Sequence, residues 1–140
     1  MKWTSATALF LVAGAVGVGA FVVVTREPKA PVDVLADVRE RMDEPLFDRA
    51  DAITQLARVL DGGRQSADPG VRLQLLATRS DIYKELEVFQ RAREDLERIE
   101  ASSANVQPEL LLEIAELMEL EGLPAEALQR TRSLTERFPR

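Results

Sequence analysis

An uncharged apolar run near the amino terminus constrains this chain more than any other feature. The run extends from Ala6 to Thr25 and contains only apolar, small and hydroxyl-bearing residues. A helix of about 20 such residues, rising about 1.5 Å per residue, covers the roughly 30 Å hydrocarbon core of a bilayer. The sequence therefore predicts a membrane anchor in residues 1–26, a proline-bearing linker in 27–31 and one folded domain in 32–140.

A cleaved secretory signal is the alternative interpretation of this run. Lys2 supplies a short positive leader, and Val18-Gly19-Ala20 is an acceptable small-residue cleavage site. The apolar residues from Phe21 to Val24 prolong the run beyond the usual signal core, which favours an uncleaved anchor. A short basic leader followed by the whole folded mass is typical of a signal anchor, so we expect the domain on the periplasmic side of an inner membrane.

Composition limits the chemistry that the domain can perform. The chain has a formal net charge of −6, so its long-range field repels nucleic acid and favours a basic protein or peptide as partner. It contains no cysteine and no histidine, which excludes disulfides, thiolate metal sites and a serine–histidine triad. We therefore expect a non-catalytic protein without a cofactor or a metal ion.

Apolar residues recur at spacings of three and four beyond the linker, without sustained alternation, which predicts an all-α fold. The boundary near Glu85 to Val88 has no helix breaker, so a continuous helix from Pro69 to Ala101 stays an alternative. The first predicted helix runs from Val32 to Met42, and the second has Pro45 in its first turn, an apolar stripe of Phe47, Ala50, Ile53, Ala57 and Leu60, and its end at Gly62-Gly63. The third is capped by Asp68-Pro69 and carries Leu75, Leu76, Ile82, Tyr83 and Leu86, and the fourth carries Phe89, Ala92, Leu96 and Ile99 and ends near Ser102-Ser103. The fifth begins at Pro108 and carries Leu111, Ile114, Ala115 and Met118, and the sixth begins at Leu123-Pro124 and carries Ala127, Leu128, Leu134 and Phe138.

The third to sixth predicted helices share a period of 35 residues. Leu76, Tyr83, Ala92 and Ile99 recur as Leu111, Met118, Ala127 and Leu134.

This pattern resembles the tetratricopeptide repeat, a helix-turn-helix unit of about 34 residues. Ala92 and Ala127 match the small residue at which its helices cross, Gly122 its turn glycine and Pro139 its closing proline, whereas Glu87 stands where the first unit needs glycine. The resemblance implies antiparallel helix pairs stacked as a short array behind the transmembrane helix. A generic antiparallel bundle is the alternative.

The resemblance also implies where a partner binds, because the first helix of each pair lines the concave groove of such arrays. Glu109, Glu113, Glu116 and Glu119 follow helical spacing along the fifth helix, and the third helix provides the adjoining wall. The alternative is a solvated face that keeps the domain soluble. The predicted strip of partner-binding residues consists of Asp81, Lys84, Glu109, Glu116 and Glu119.

We expect a membrane-tethered interaction or scaffold module of a bacterial envelope complex. Two further interpretations remain open: a non-catalytic regulatory subunit of a membrane enzyme or transporter, and a secreted binding protein released by signal cleavage. The last pair of predicted helices, near Phe138, is a second candidate docking surface.

Overall fold

The computed structural model describes residues 29–62 and 68–139, and all regular structure within them is α-helical, which confirms the predicted all-α class. The predicted anchor at Ala6 to Thr25 lies outside the described residues. Among the described helices, none combines the length and apolar character that crossing a membrane requires. The helices are α1 Pro31–Arg41, α2 Arg49–Asp61, α3 Pro69–Glu85, α4 Phe89–Ser102, α5 Pro108–Leu120 and α6 Pro124–Arg137.

Proline begins four of these helices. Pro31, Pro69, Pro108 and Pro124 each occupy the first helical position, where the missing N–H has no helical partner to lose and the fixed φ already suits the helix. These starts agree with the predicted boundaries to within one residue.

The start of α2 differs from the prediction. Pro45 lies in a turn closed by hydrogen bonds from Glu44 N to Arg41 O and from Phe47 N to Glu44 O. The helix begins only at Arg49, after Asp48 accepts a hydrogen bond from Asp51 N at 3.0 Å as the N-cap. The buried stripe of α2 is consequently Ala52, Leu56 and Leu60, while Ala50 is exposed and Phe47 packs into the core from outside the helix.

Each helix packs against the next one along the chain, and α1 also packs against α3. Arg49, at the start of α2, donates to Glu85 at the end of α3, and Arg72, near the start of α3, donates to the Leu60 carbonyl at the end of α2. These two contacts make α2 and α3 antiparallel.

Two turns of the chain have the same backbone geometry, 35 residues apart. Glu87 has a φ of 57° and Gly122 a φ of 79°. Val88 N donates to Tyr83 O at 2.9 Å, and Leu123 N donates to Met118 O at 2.9 Å. This is the hydrogen-bond pattern that ends a helix with one left-handed residue. The turn separates α3 from α4, so the continuous helix from Pro69 to Ala101 is excluded.

Two apolar clusters form the described core. The first joins α1, α2 and α3; the second joins α4 and α5, and Ile99 packs against both. Leu86 and Leu128, predicted to face the core, are exposed instead. Leu86 lies in the turn after α3, beyond the helical face that it was expected to extend. The buried residues of the clusters are Val34, Leu35, Val38, Phe47, Ala52, Leu56, Leu60, Leu75, Leu76 and Ile82 in the first, and Ala92, Leu96, Ile114 and Leu117 in the second.

Candidate partner-binding surface

Lys84 connects the two helices that carry the predicted strip. Its Nζ lies 2.7 Å from Asp81 Oδ1, one turn earlier on α3, and 2.5 Å from Glu113 Oε1 on α5. Burial lowers the pKa of Lys84, but the hydrogen bonds donated to Asp81 and Glu113 raise it, and the net result is a pKa above the ordinary value. The amine therefore stays charged and connects α3 to α5 through side chains.

The exposed side of α5 carries carboxylates that the fold does not use. Glu109, Glu116 and Glu119 are exposed, and none makes an ion pair or a hydrogen bond with another described side chain. The opposite side of the helix is fixed by burial of Leu111, Ile114, Ala115 and Leu117. The fold thus directs these three charges toward solvent.

Helix geometry divides the predicted strip into two parts. Glu109 and Glu116 are seven residues apart, which is close to two full turns, so they lie on one line beside the Lys84–Glu113 contact. Six residues separate Glu113 from Glu119 and rotate the helix to a direction about 120° away. We define the acidic surface as Asp81, Lys84, Glu109, Glu113 and Glu116; Glu119 lies at the other edge of α5.

Exposed leucines accompany these charges on α5, and sequence reasoning did not assign them to the surface. Leu112 is 46% exposed and Leu120 is 61% exposed. The run Leu110-Leu111-Leu112 carried the signal, because three consecutive residues of a helix point in three directions and cannot all face one core.

Other ion pairs of the molecule connect helices to one another. Arg93 on α4 donates to Glu121 after α5 at 2.6 Å and to Glu97 on its own helix at 2.8 Å, and these hydrogen bonds raise its pKa against the opposing effect of burial. Arg130 on α6 donates to Glu100 on α4. The charges of these residues are therefore paired within the fold.

Two clefts lie along the second helices of the pairs. The larger, about 310 Å³, has apolar atoms from Leu111, Met118 and Leu134 and charged groups from α6 and Glu100. The smaller, about 190 Å³, contains the buried Arg79–Asp95 pair. Among the described residues, no group of three or more acidic, histidine or cysteine side chains could hold a metal ion.

Comparisons of the chain with protein-family models, with curated proteins and with solved structures gave no match in any of the three.

Proposed function

We propose that this chain is a non-catalytic interaction module that binds a protein partner through the acidic surface shared by α3 and α5. The observation that carries the proposal is the exposure of Glu109 and Glu116, without ion pairs among the described residues, beside the Lys84–Glu113 contact. Carboxylates that pair within the fold are already neutralised by an arginine or a lysine. The unpaired ones keep their full charge toward solvent and attract a basic segment.

The resemblance to tetratricopeptide repeats supports this choice of surface. In that family the first helix of each pair lines the groove, and here those helices are α1, α3 and α5. The matching turns at Glu87 and Gly122 and the complete burial of Ala92 and Ala127 agree with two helix pairs of the same design. Arg39 on α1 donates to Thr78 and Gln74 on α3, which brings the first helices of two pairs into contact.

The proposal includes a bilayer tether formed by Ala6 to Thr25, with the helical domain on the periplasmic side of an inner membrane. A tether of this kind confines the binding surface to the membrane neighbourhood, where a scaffold of an envelope complex would act. The length of the apolar run and the acidic charge of the domain support this arrangement.

Charge reversal tests the acidic surface. Full-length chain carrying Glu109→Lys and Glu116→Lys should capture its partner from native membranes about 10-fold less well, since each reversal replaces attraction by repulsion. Capture by the unaltered chain should also weaken as salt rises, because exposed charges are screened within about 10 Å at 0.1 M salt. The measurement is quantitative co-purification with identification of the captured protein.

Glu126→Lys and Glu136→Lys provide the matched control. Both glutamates are exposed on α6, a second helix of a pair, and the double change alters the net charge by the same amount. Glu94 and Glu97 are less suitable because they pair with Arg91 and Arg93. Equal loss of capture for both double variants would mean that net charge alone acts, and unchanged capture by the first would reject the acidic surface.

A further inference from the structure

The outward side of the last helix pair is identified by the contacts that the preceding pair makes. Lys84 on α3 reaches Glu113, and Arg93 on α4 reaches Glu121, so these two residues mark the sides of α3 and α4 that face α5. A further helix that packed on the α5–α6 pair as α5 packs after the α3–α4 pair would contact the equivalent sides of α5 and α6.

A shift of 35 residues locates those corresponding sides. The shift superimposes the hydrogen bonds of the turn at Glu87 on those of the turn at Gly122, and it takes buried Ala92 to buried Ala127. Lys84 then corresponds to Glu119, and Arg93 corresponds to Leu128.

The chemistry at these two positions differs from that of the preceding pair. Glu119 is exposed and has no ion pair among the described residues, and Leu128 is 52% exposed. Leu112, seven residues before Glu119, lies on the same side of α5 two turns away. We define the end surface as Leu112, Glu119 and Leu128.

We propose that the end surface binds an amphipathic helix of a partner protein, docked as α5 docks on the α3–α4 pair but with its charge inverted. That helix carries lysine or arginine where α5 carries Glu113, because Glu119 replaces Lys84. It carries an apolar residue at the position that corresponds to Glu121, directly after α5, because Leu128 replaces Arg93. A second copy of α5 does not fit, since its Glu113 would face Glu119. This binding site goes beyond the acidic surface and does not depend on it.

A pair of peptides derived from α5 tests the proposal. The probe peptide has the sequence of residues 107–122 with Glu113→Lys and Glu121→Leu, and the reference peptide has the unaltered sequence. Fluorescence anisotropy measures binding of each labelled peptide to the full-length chain in detergent. We expect the probe peptide to bind about 10-fold more tightly than the reference, because its lysine attracts Glu119, whereas the glutamate of the reference peptide repels it.

Glu119→Lys in the full-length chain should reverse this preference, so that the reference peptide binds more tightly. Leu128→Glu should weaken the probe peptide about 10-fold, since it places a charge in the apolar contact. Leu46→Glu is the matched control, because Leu46 is 95% exposed before α2 and lies far along the chain from the end surface. Glu109→Lys alone should leave the affinity of the probe peptide within about twofold of its value, because Glu109 lies ten residues, about 15 Å, before Glu119 on α5, and this separates the site from the acidic surface.

Equal affinity of the two peptides, absence of binding by both, or a preference that persists in the Glu119→Lys chain would each overturn the proposal. Self-association of the full-length chain that Leu128→Glu abolishes, without binding of the probe peptide, would assign the end surface to a second copy and overturn it as well.

Discussion

At the scale of single residues, Glu87 holds the turn between α3 and α4 in a conformation that favours glycine. Its φ of 57° lies in the left-handed region, where a side chain with a Cβ costs about 1 kcal/mol relative to glycine. The turn is nevertheless formed, since Glu87 N donates to Lys84 O at 3.0 Å and Val88 N to Tyr83 O. Tertiary packing of α3 against α4 compensates for the local strain.

Glu87→Gly should therefore raise the free energy of unfolding by about 0.5–1 kcal/mol, despite the greater freedom of glycine in the unfolded chain. Gly122→Ala provides the reciprocal test. A Cβ at Gly122 meets no atom within 4 Å, so any loss of stability there reports backbone strain alone. Urea denaturation followed by circular dichroism measures both, and a Glu87→Gly chain less stable than the parent would contradict the argument.

At the scale of helices, a buried ion pair fixes α3 against α4. Arg79 Nε and Nη2 donate to the two carboxylate oxygens of Asp95 at 2.7 and 2.6 Å, and the Asp95 side chain is only 3% exposed. The hydrogen bonds to Asp95 raise the pKa of Arg79, while burial opposes that rise. The geometry is bidentate, which is the arrangement that best compensates for removing two charges from water.

Arg79→Met should destabilise the chain by about 3 kcal/mol, because it leaves the Asp95 carboxylate buried with only Arg98, 3.7 Å away, as a partial substitute. Asp95→Leu should cost a similar amount by leaving the guanidinium unpaired. The double variant should lie within about 2 kcal/mol of the parent, since two apolar residues leave no charge to solvate. Losses that simply add in the double variant would show that packing, not charge, dominates at this site.

This pair also shows why part of the fold could not be predicted from sequence. Arg79 and Asp95 are 16 residues apart, and neither belongs to the apolar residues from which their helices were predicted. The helix starts at prolines could be predicted from the sequence, because the effect of proline on the backbone is local. The sequence allowed two starts for α2, one with Pro45 in the first turn and one with Asp48 as the N-cap. Only the turn at residues 42–48 of the structure shows that the helix begins after Asp48.

The candidate surfaces could also be predicted from the sequence only in part. Exposure of Glu109 and Glu116 follows from the period of α5 alone. The Lys84–Glu113 contact depends on how α3 and α5 each pack against α4, which a single sequence does not encode locally. The run of three leucines at 110–112 indicates that one of them is exposed, whereas the exposure of Leu128 could be recognised only once the packing of α6 was known.

At the scale of the whole molecule, the proposed function requires that the binding surfaces stay at a membrane. The interval between the predicted anchor and α1 is short: only Arg26 to Ala30 separate Thr25 from the first helical residue, Pro31. If Ala6 to Thr25 form the proposed tether, Pro28 and Pro31 disfavour an unbroken helix from the tether into α1. The proposed tether would then keep the domain within a few residues of the headgroups, and its partners would be proteins at the same membrane.

Fractionation of the native host tests this arrangement. If Ala6 to Thr25 is an uncleaved anchor, full-length chain should remain with membranes through a carbonate wash, since about 20 uncharged residues stay in the hydrocarbon core when peripheral contacts are stripped. A truncated chain beginning at Pro31 should be soluble and retain the helical dichroism of α1 to α6, because the buried residues of these helices pack against one another. Intact mass of the native protein completes the measurement. Recovery in the soluble fraction of a chain that starts at Phe21 would establish signal cleavage and replace the tethered module by a secreted one.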